Sequence, residues 1–165
     1  MAEYDLESLS ILIVEDNVHM RRLVQSILNA LGVRMVGMAE DGADAFKVMK
    51  TFEPDIIICD WNMDPIDGLE FTKMIRTNED SPNIYVPIIM LTGHTEARRV
   101  ILARDAGVNE FLAKPISAKK LYQRIKAILE SPRQFVRTPT YFGPNRRRRN
   151  DPNYTGPERR KPAKT

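Results

Sequence analysis

Five times within the first 130 residues a short apolar run is followed by a longer stretch with helical spacing, and this alternation restricts the fold more than any other feature of the chain. The runs are Ile11-Leu12-Ile13-Val14, Met35-Val36-Gly37-Met38, Ile56-Ile57-Ile58-Cys59, Val86-Pro87-Ile88-Ile89-Met90-Leu91 and Glu110-Phe111-Leu112-Ala113. The first, third and fourth show no polar alternation, as strands covered by helices on both faces require, so the pattern predicts an α/β domain with a parallel sheet. After the first run, Met20, Leu23, Val24, Ile27, Leu28 and Leu31 recur at helical spacing, and Gly32 follows where a helix C-cap sits. Weaker stripes predict helices at about 43–52, 67–77, 96–106 and 118–130, the last two capped by Thr95 and Ser117.

In an open parallel sheet, ligands bind outside the carboxyl ends of the strands. Here those ends carry charge: Glu15-Asp16 after the first run, Asp60 after the third, Thr92-Gly93 after the fourth and Lys114-Pro115 after the fifth. Taken singly, an aspartate at a strand end is most often a turn or cap residue. Together they bring three carboxylates, a hydroxyl and an ammonium to one edge, and the carboxylates repel unless a cation sits among them. Oxygen ligands without a histidine or thiolate cluster favour Mg²⁺. His19 and His94 read as surface histidines, Cys59 as core filler, and Met20, Met35, Met38, Met49 and Met90 as parts of core stripes.

Glu15-Asp16, Asp60, Thr92 and Lys114-Pro115, in this order and spacing, resemble the receiver domain of bacterial two-component response regulators. Asp60-Trp61-Asn62-Met63 and Asp67-Gly68-Leu69-Glu70 are similar to the chemotaxis-type branch. The resemblance covers about residues 8 to 130 and implies a flavodoxin-like sheet of order 2-1-3-4-5 flanked by five helices. It implies that Asp60 accepts a phosphoryl group from a histidine kinase or phosphotransfer protein. It further implies Mg²⁺ held by Asp16, Asp60 and the main-chain carbonyl of Asn62, with Glu15 acting through water, and Lys114 as a fixed cation. Thr92 then donates its hydroxyl to the phosphoryl group and Phe111 turns inward behind it, while Asn62 and His94 stand where the family tunes phosphoryl lifetime. The chain departs from the family in having Asp64 directly after Met63, with Pro65 one place later; Asp64 reads as the cap of the helix at 67 or as an outer contact of the metal. Phe111 lacks the hydroxyl of the common tyrosine variant. An aspartyl-phosphate hydrolase, the rival reading, places a second aspartate where this chain has Asn62.

From Ser131 the composition changes. Residues 131–165 hold ten Lys/Arg against Asp151 and Glu158, a charge of +8, while the first 130 residues carry −5. Six of the eleven prolines lie there and no Leu, Ile or Met, so this segment is expected to be an extended basic arm without a core. The division expected is an N-terminal extension over 1–7, a receiver over 8–130 and an arm over 131–165. Pro139-Thr140-Tyr141-Phe142-Gly143-Pro144-Asn145-Arg146-Arg147 is echoed 13 residues on by Pro152-Asn153-Tyr154-Thr155-Gly156-Pro157-Glu158-Arg159-Arg160. The repeat reads as two copies of a linear docking motif, with Tyr141, Arg146, Arg147, Tyr154, Arg159 and Arg160 as contacts for a downstream protein. The alternatives are nucleic acid, through arginine on phosphate and aromatic rings on bases, and a solvated tail. The apolar runs are too short to span a membrane, the acidic start is unlike a secretory signal, and lone Cys59 forms no internal disulfide, so a cytoplasmic protein is expected, and the resemblance implies a signalling switch and not an enzyme.

Overall fold

The computed structural model describes residues 5–93, 97–130, 134–145 and 161–162. Strands and helices alternate as β1 (Ser10–Val14), α1 (Val18–Ala30), β2 (Met35–Ala39), α2 (Gly42–Val48), β3 (Ile56–Asp60), α3 (Gly68–Thr77), β4 (Ile88–Thr92), α4 (Ala97–Ala106), β5 (Glu110–Ala113) and α5 (Ala118–Glu130). The five strands form one parallel sheet in the order β2-β1-β3-β4-β5.

Successive residues of β1, β3 and β4 feed two cores, one on each face. Leu12, Val14, Ile57, Cys59, Ile88 and Met90 pack with Phe71 and Ile75 of α3 on one side. Ile11, Ile13, Ile56, Ile58, Ile89 and Leu91 pack with Val24 and Leu28 of α1 and Leu121 and Ile125 of α5 on the other. Each fully buried aliphatic side chain contributes roughly 1.5–3 kcal/mol, which is why these strands read as unbroken apolar runs. β4 begins at Ile88 rather than at Val86 because Pro87 has no N–H for the ladder; its carbonyl instead accepts from Ile57 N at 2.9 Å.

The helix ends follow local chemistry. Asn17 caps α1, its side chain accepting from Met20 N at 2.9 Å, and Gly32 closes the helix at φ 99°, in the left-handed region. Ser117 Oγ accepts from Lys120 N at 3.2 Å and caps α5. Thr95, the expected cap of α4, lies outside the described residues. The cap of α3 is Asp67, accepting from Glu70 N at 2.8 Å, and not Asp64, which is exposed three residues earlier. An N-cap must adjoin the first helical turn, and only Asp67 does.

The expectation that the chain beyond 130 contributes no core is overturned for residues 134–145. They form an antiparallel hairpin of β6 (Phe135–Thr138) and β7 (Tyr141–Pro144), and β8 (Lys161–Pro162) pairs with the other edge of β6. Val136, Tyr141 and Phe142 are buried. Tyr141, expected as an exposed docking side chain, turns inward and donates its hydroxyl to Pro144 O at 2.7 Å. The hairpin has one aliphatic residue of its own, Val136, and borrows the rest of its core from the five-stranded domain: Phe135 and Phe142 meet the Tyr85 ring edge-on at centroid distances of 5.1 and 5.9 Å. Arg146, Arg147, Tyr154, Arg159 and Arg160 lie outside the described residues. Among the described residues no helix is long and apolar enough to cross a membrane.

Candidate phosphoryl-acceptor site

The carboxyl ends of β1, β3, β4 and β5 meet at one edge of the sheet. Asp60 is the last residue of β3, paired with Leu91 in register, and Thr92 follows at the end of β4 beside Ala113 of β5. Glu15 leaves β1 under three constraints. Its N–H donates to Ala39 O at 3.0 Å, its carbonyl accepts from the Arg21 guanidinium at 2.7 Å, and its Oε1 accepts from Asn17 N at 3.0 Å. This fixes the rotamer and aims Oε2 away from the backbone. Lys114 is set by its own N–H, which donates to Thr92 O at 2.8 Å.

Ligand oxygens of Glu15, Asp16 and Asp60 lie within 4.8 Å of one another. Glu15 and Asp60 are buried and Asp16 is exposed. Lys114 Nζ stands 2.9 Å from Asp60 Oδ1 and approaches by charge without the alignment of a hydrogen bond, so Asp60 Oδ1 and Glu15 Oε2 are both buried acceptors with no hydrogen-bond donor. Two buried carboxylates this close, with one ammonium beside Asp60 and, among the described residues, none at Glu15, are costly unless a further cation or a proton joins them, and hard oxygen donors of this kind fit a divalent cation. Burial is the main reason the Glu15 carboxyl is pushed up from 4.5 to about 8; the Asp60 charge adds to the rise, while the Asn17 N–H and the Lys114 ammonium oppose it. The cluster opens into a cavity of about 400 Å³ lined also by Asn62, His19 and Lys114, wide enough for a phosphoryl group and its leaving group.

The thiol next to Asp60 is no reactive group. Burial, reinforced by the nearby carboxylates, drives the Cys59 thiol well above its usual range, so it stays protonated and donates to Asp60 O at 3.3 Å. Behind Asp60, Gly68 N donates to Trp61 O at 2.8 Å. A Cβ at Gly68 would collide with the Asp60 carbonyl and come within 2.8 Å of Met90 Sδ, so this close approach requires glycine. Phe111 lies half-buried at the rim of the core that contains Met90.

The strand-end residues named from the sequence, Glu15, Asp16, Asp60, Thr92 and Lys114, thus gather at one edge, and Asn62 lines the same cavity. His94 lies outside the described residues. Sequence reasoning missed Arg21 and the closeness of Gly68. Arg21 carries no signal, because its partner is a main-chain carbonyl that no side-chain pattern records.

Residues 11–126 match the response regulator receiver domain. The chain belongs to the receiver domain family. It is 34% identical over 124 residues to chemotaxis protein CheY-3 of Vibrio cholerae, covering 75% of this chain and 94% of that protein. It is 32% identical to chemotaxis protein CheY of Pseudomonas aeruginosa, covering 74% and 97%. Among solved structures, V. cholerae CheY4 superposes with a TM-score of 0.66 at 29% identity, over 73% of this chain and 98% of that one. The receiver domain of a P. aeruginosa sensor histidine kinase, with a magnesium ion coordinated in its active-site cleft, superposes at 0.61 and 34% identity, over 72% and 94%. The receiver is therefore of chemotaxis type, a module of two-component signalling, and the hairpin lies beyond the matched region.

Proposed function

We propose that this receiver accepts a phosphoryl group on Asp60 from a histidine kinase or phosphotransfer protein, in the presence of Mg²⁺, and passes the signal on by protein contact in the cytoplasm. The observation that carries the reading is the pair of buried, unbonded oxygens, Glu15 Oε2 and Asp60 Oδ1, beside the Lys114 ammonium. Asp60 attacks phosphorus as a carboxylate, and a new oxygen–phosphorus bond forms as the donor's bond to phosphorus breaks; no general base is required. Mg²⁺, held by Asp16, Asp60 and the Asn62 carbonyl with Glu15 through water, would supply charge neutralisation at the phosphoryl oxygens. Lys114 moves from Asp60 Oδ1 to a phosphoryl oxygen, and Thr92 donates its hydroxyl to another. Phe111 fills the space behind Thr92, which converts a charge event into a packing change on β5. Asn62 and His94 modulate how long the phosphoryl group lasts. With Asn62 in place of a second aspartate, the site serves as a switch and not as a hydrolase.

Residues 8–130 are the phosphorylated unit in this reading. Arg146, Arg147, Tyr154, Arg159 and Arg160 remain the arm's contacts for an anionic partner. Burial of Tyr141 and Phe142 removes two of the rings that base stacking on nucleic acid would use, which favours a protein. The test is labelling of the full chain by acetyl phosphate with Mg²⁺, in which acetate leaves as Asp60 is phosphorylated. Asp60→Asn should abolish the acid-labile label, and wild-type labelling in that variant would overturn the assignment.

A further inference from the structure

The hairpin rests on one corner of the receiver, the turn at 107–109 that joins α4 to β5. Gly143 of β7 lies so close to this corner that a Cβ there would come within 3.1 Å of Gly107 Cα. The guanidinium of Arg76, near the end of α3, sits 4.9 Å from the centroid of the Phe135 ring. On its other sides it holds both ends of the turn, with Nε donating to Gly107 O at 3.1 Å and a terminal nitrogen to Asn109 Oδ1 at 3.0 Å. Its remaining nitrogen donates to Ile84 O at 2.8 Å. Asn109 ties the turn to the sheet: its Oδ1 also accepts from Ile88 N at 3.1 Å, and its N–H donates to Ile88 O at 3.0 Å. Ile88 opens the strand that ends in Thr92, and Asn109 directly precedes the strand that carries Phe111. One buried arginine, covered by the hairpin, therefore grips the base of the two strands that carry Thr92, at the far end of β4, and Phe111, the second residue of β5.

We propose that the hairpin is an intramolecular clamp on the α4–β5 corner, and that its docking and the phosphorylation of Asp60 are reciprocally coupled, each weakening the other. The proposal rests on the reading of Asp60, Thr92 and Phe111 given above. Drawing Thr92 and Lys114 toward a phosphoryl group and turning Phe111 inward shifts β4 and β5 relative to each other. The clamp resists that shift, because Gly107, Asn109 and Ile88 are held together through Arg76 under the Phe135 ring. Coupling of this kind must appear with equal size in both directions at equilibrium.

The experiment uses the full chain with beryllofluoride and Mg²⁺ as the phosphoryl mimic. Binding is read from Trp61, the single tryptophan and the residue after Asp60. Gly143→Ala alters no receiver residue and crowds the hairpin on its seat, since its Cβ would stand 3.1 Å from Gly107 Cα and 2.7 Å from Tyr141 Oη, whose hydroxyl bond to Pro144 O holds the hairpin's shape. It should tighten beryllofluoride binding by about fivefold or more. In wild type, saturating beryllofluoride should speed amide exchange along β6 by a matching factor, and Asp60→Asn should abolish that acceleration. Phe135→Ala, which removes a half-buried ring, repeats the test if Gly143→Ala does not fold. Unchanged or weaker binding in the variants, or β6 exchange indifferent to beryllofluoride, would overturn the clamp alone. Failure of wild type to bind beryllofluoride at all would overturn the receiver reading of Asp60 instead.

Discussion

Replacing Glu15 by glutamine should make the protein more stable at alkaline pH while weakening its hold on Mg²⁺. In the fold this carboxyl is almost wholly shielded from solvent, and burial pushes it from 4.5 up to about 8. The folded chain therefore binds the proton more tightly than the unfolded chain does. The associated stability is fully present below about pH 4.5 and is lost as pH rises toward 8. The gap between those values sets a ceiling of roughly 5 kcal/mol. Half of that, at a urea dependence of about 2 kcal/mol per molar, lowers the unfolding midpoint by about 1 M between pH 5.5 and 8.5 in EDTA. Glu15→Gln keeps the volume and the acceptor facing Asn17 N but cannot ionise, so its midpoint should stay nearly flat over the same range. Adding Mg²⁺ at pH 8.5 should restore the wild-type midpoint, by about 2.7 kcal/mol at a hundredfold excess over Kd, and should act more weakly on the variant. Parallel pH curves for the two proteins would refute burial as the origin of the effect.

Gly68→Ala should cost about 3 kcal/mol or more in chemical denaturation and should slow phosphorylation, because the added methyl displaces the Asp60 carbonyl or Met90. Arg21→Ala frees the Glu15 carbonyl and should raise the Mg²⁺ concentration needed for half-maximal phosphorylation by about tenfold, with Arg21→Lys partly restoring it, as read by Mg²⁺ titration. Lys114→Ala should still accept label but should fail to change the Phe111 environment in NMR spectra on phosphorylation. Arg76→Ala leaves the acceptors Gly107 O and Ile84 O without their donor and should lower stability by about 1–3 kcal/mol for each that stays dry, measured by urea unfolding.

The strands and the site were legible because one physical rule governs both. Strands buried on two faces must be apolar throughout, and the first polar residues after them, Glu15, Asp60, Thr92 and Lys114, necessarily mark the edge where a ligand meets backbone and charge. Arg21 and Arg76 were invisible because each spends its charge on main-chain carbonyls, and such acceptors exist at every position of a sequence. The hairpin was misjudged for a different reason. The tail lacks Leu, Ile and Met when counted alone, but Phe135, Val136, Tyr141 and Phe142 need only half a core, and Tyr85 and Arg76 supply the other half. Asp64 reads as a cap from its nearness to the helix, but at three residues before Asp67 its carboxylate lies beyond the reach of the first free N–H groups.

Arg76 also bears on the order of events during synthesis. The chain emerges from its amino end, so every group that holds this guanidinium leaves the ribosome ahead of Phe135. Its hydrogen bonds to Ile84 O, Gly107 O and Asn109 Oδ1 all lie within the earlier-made portion, and until Phe135 covers it one face of the side chain stays wet, where water competes for those bonds. The hairpin then docks on groups made before it, and a chain cut after Glu130 would present the same corner as an open seat.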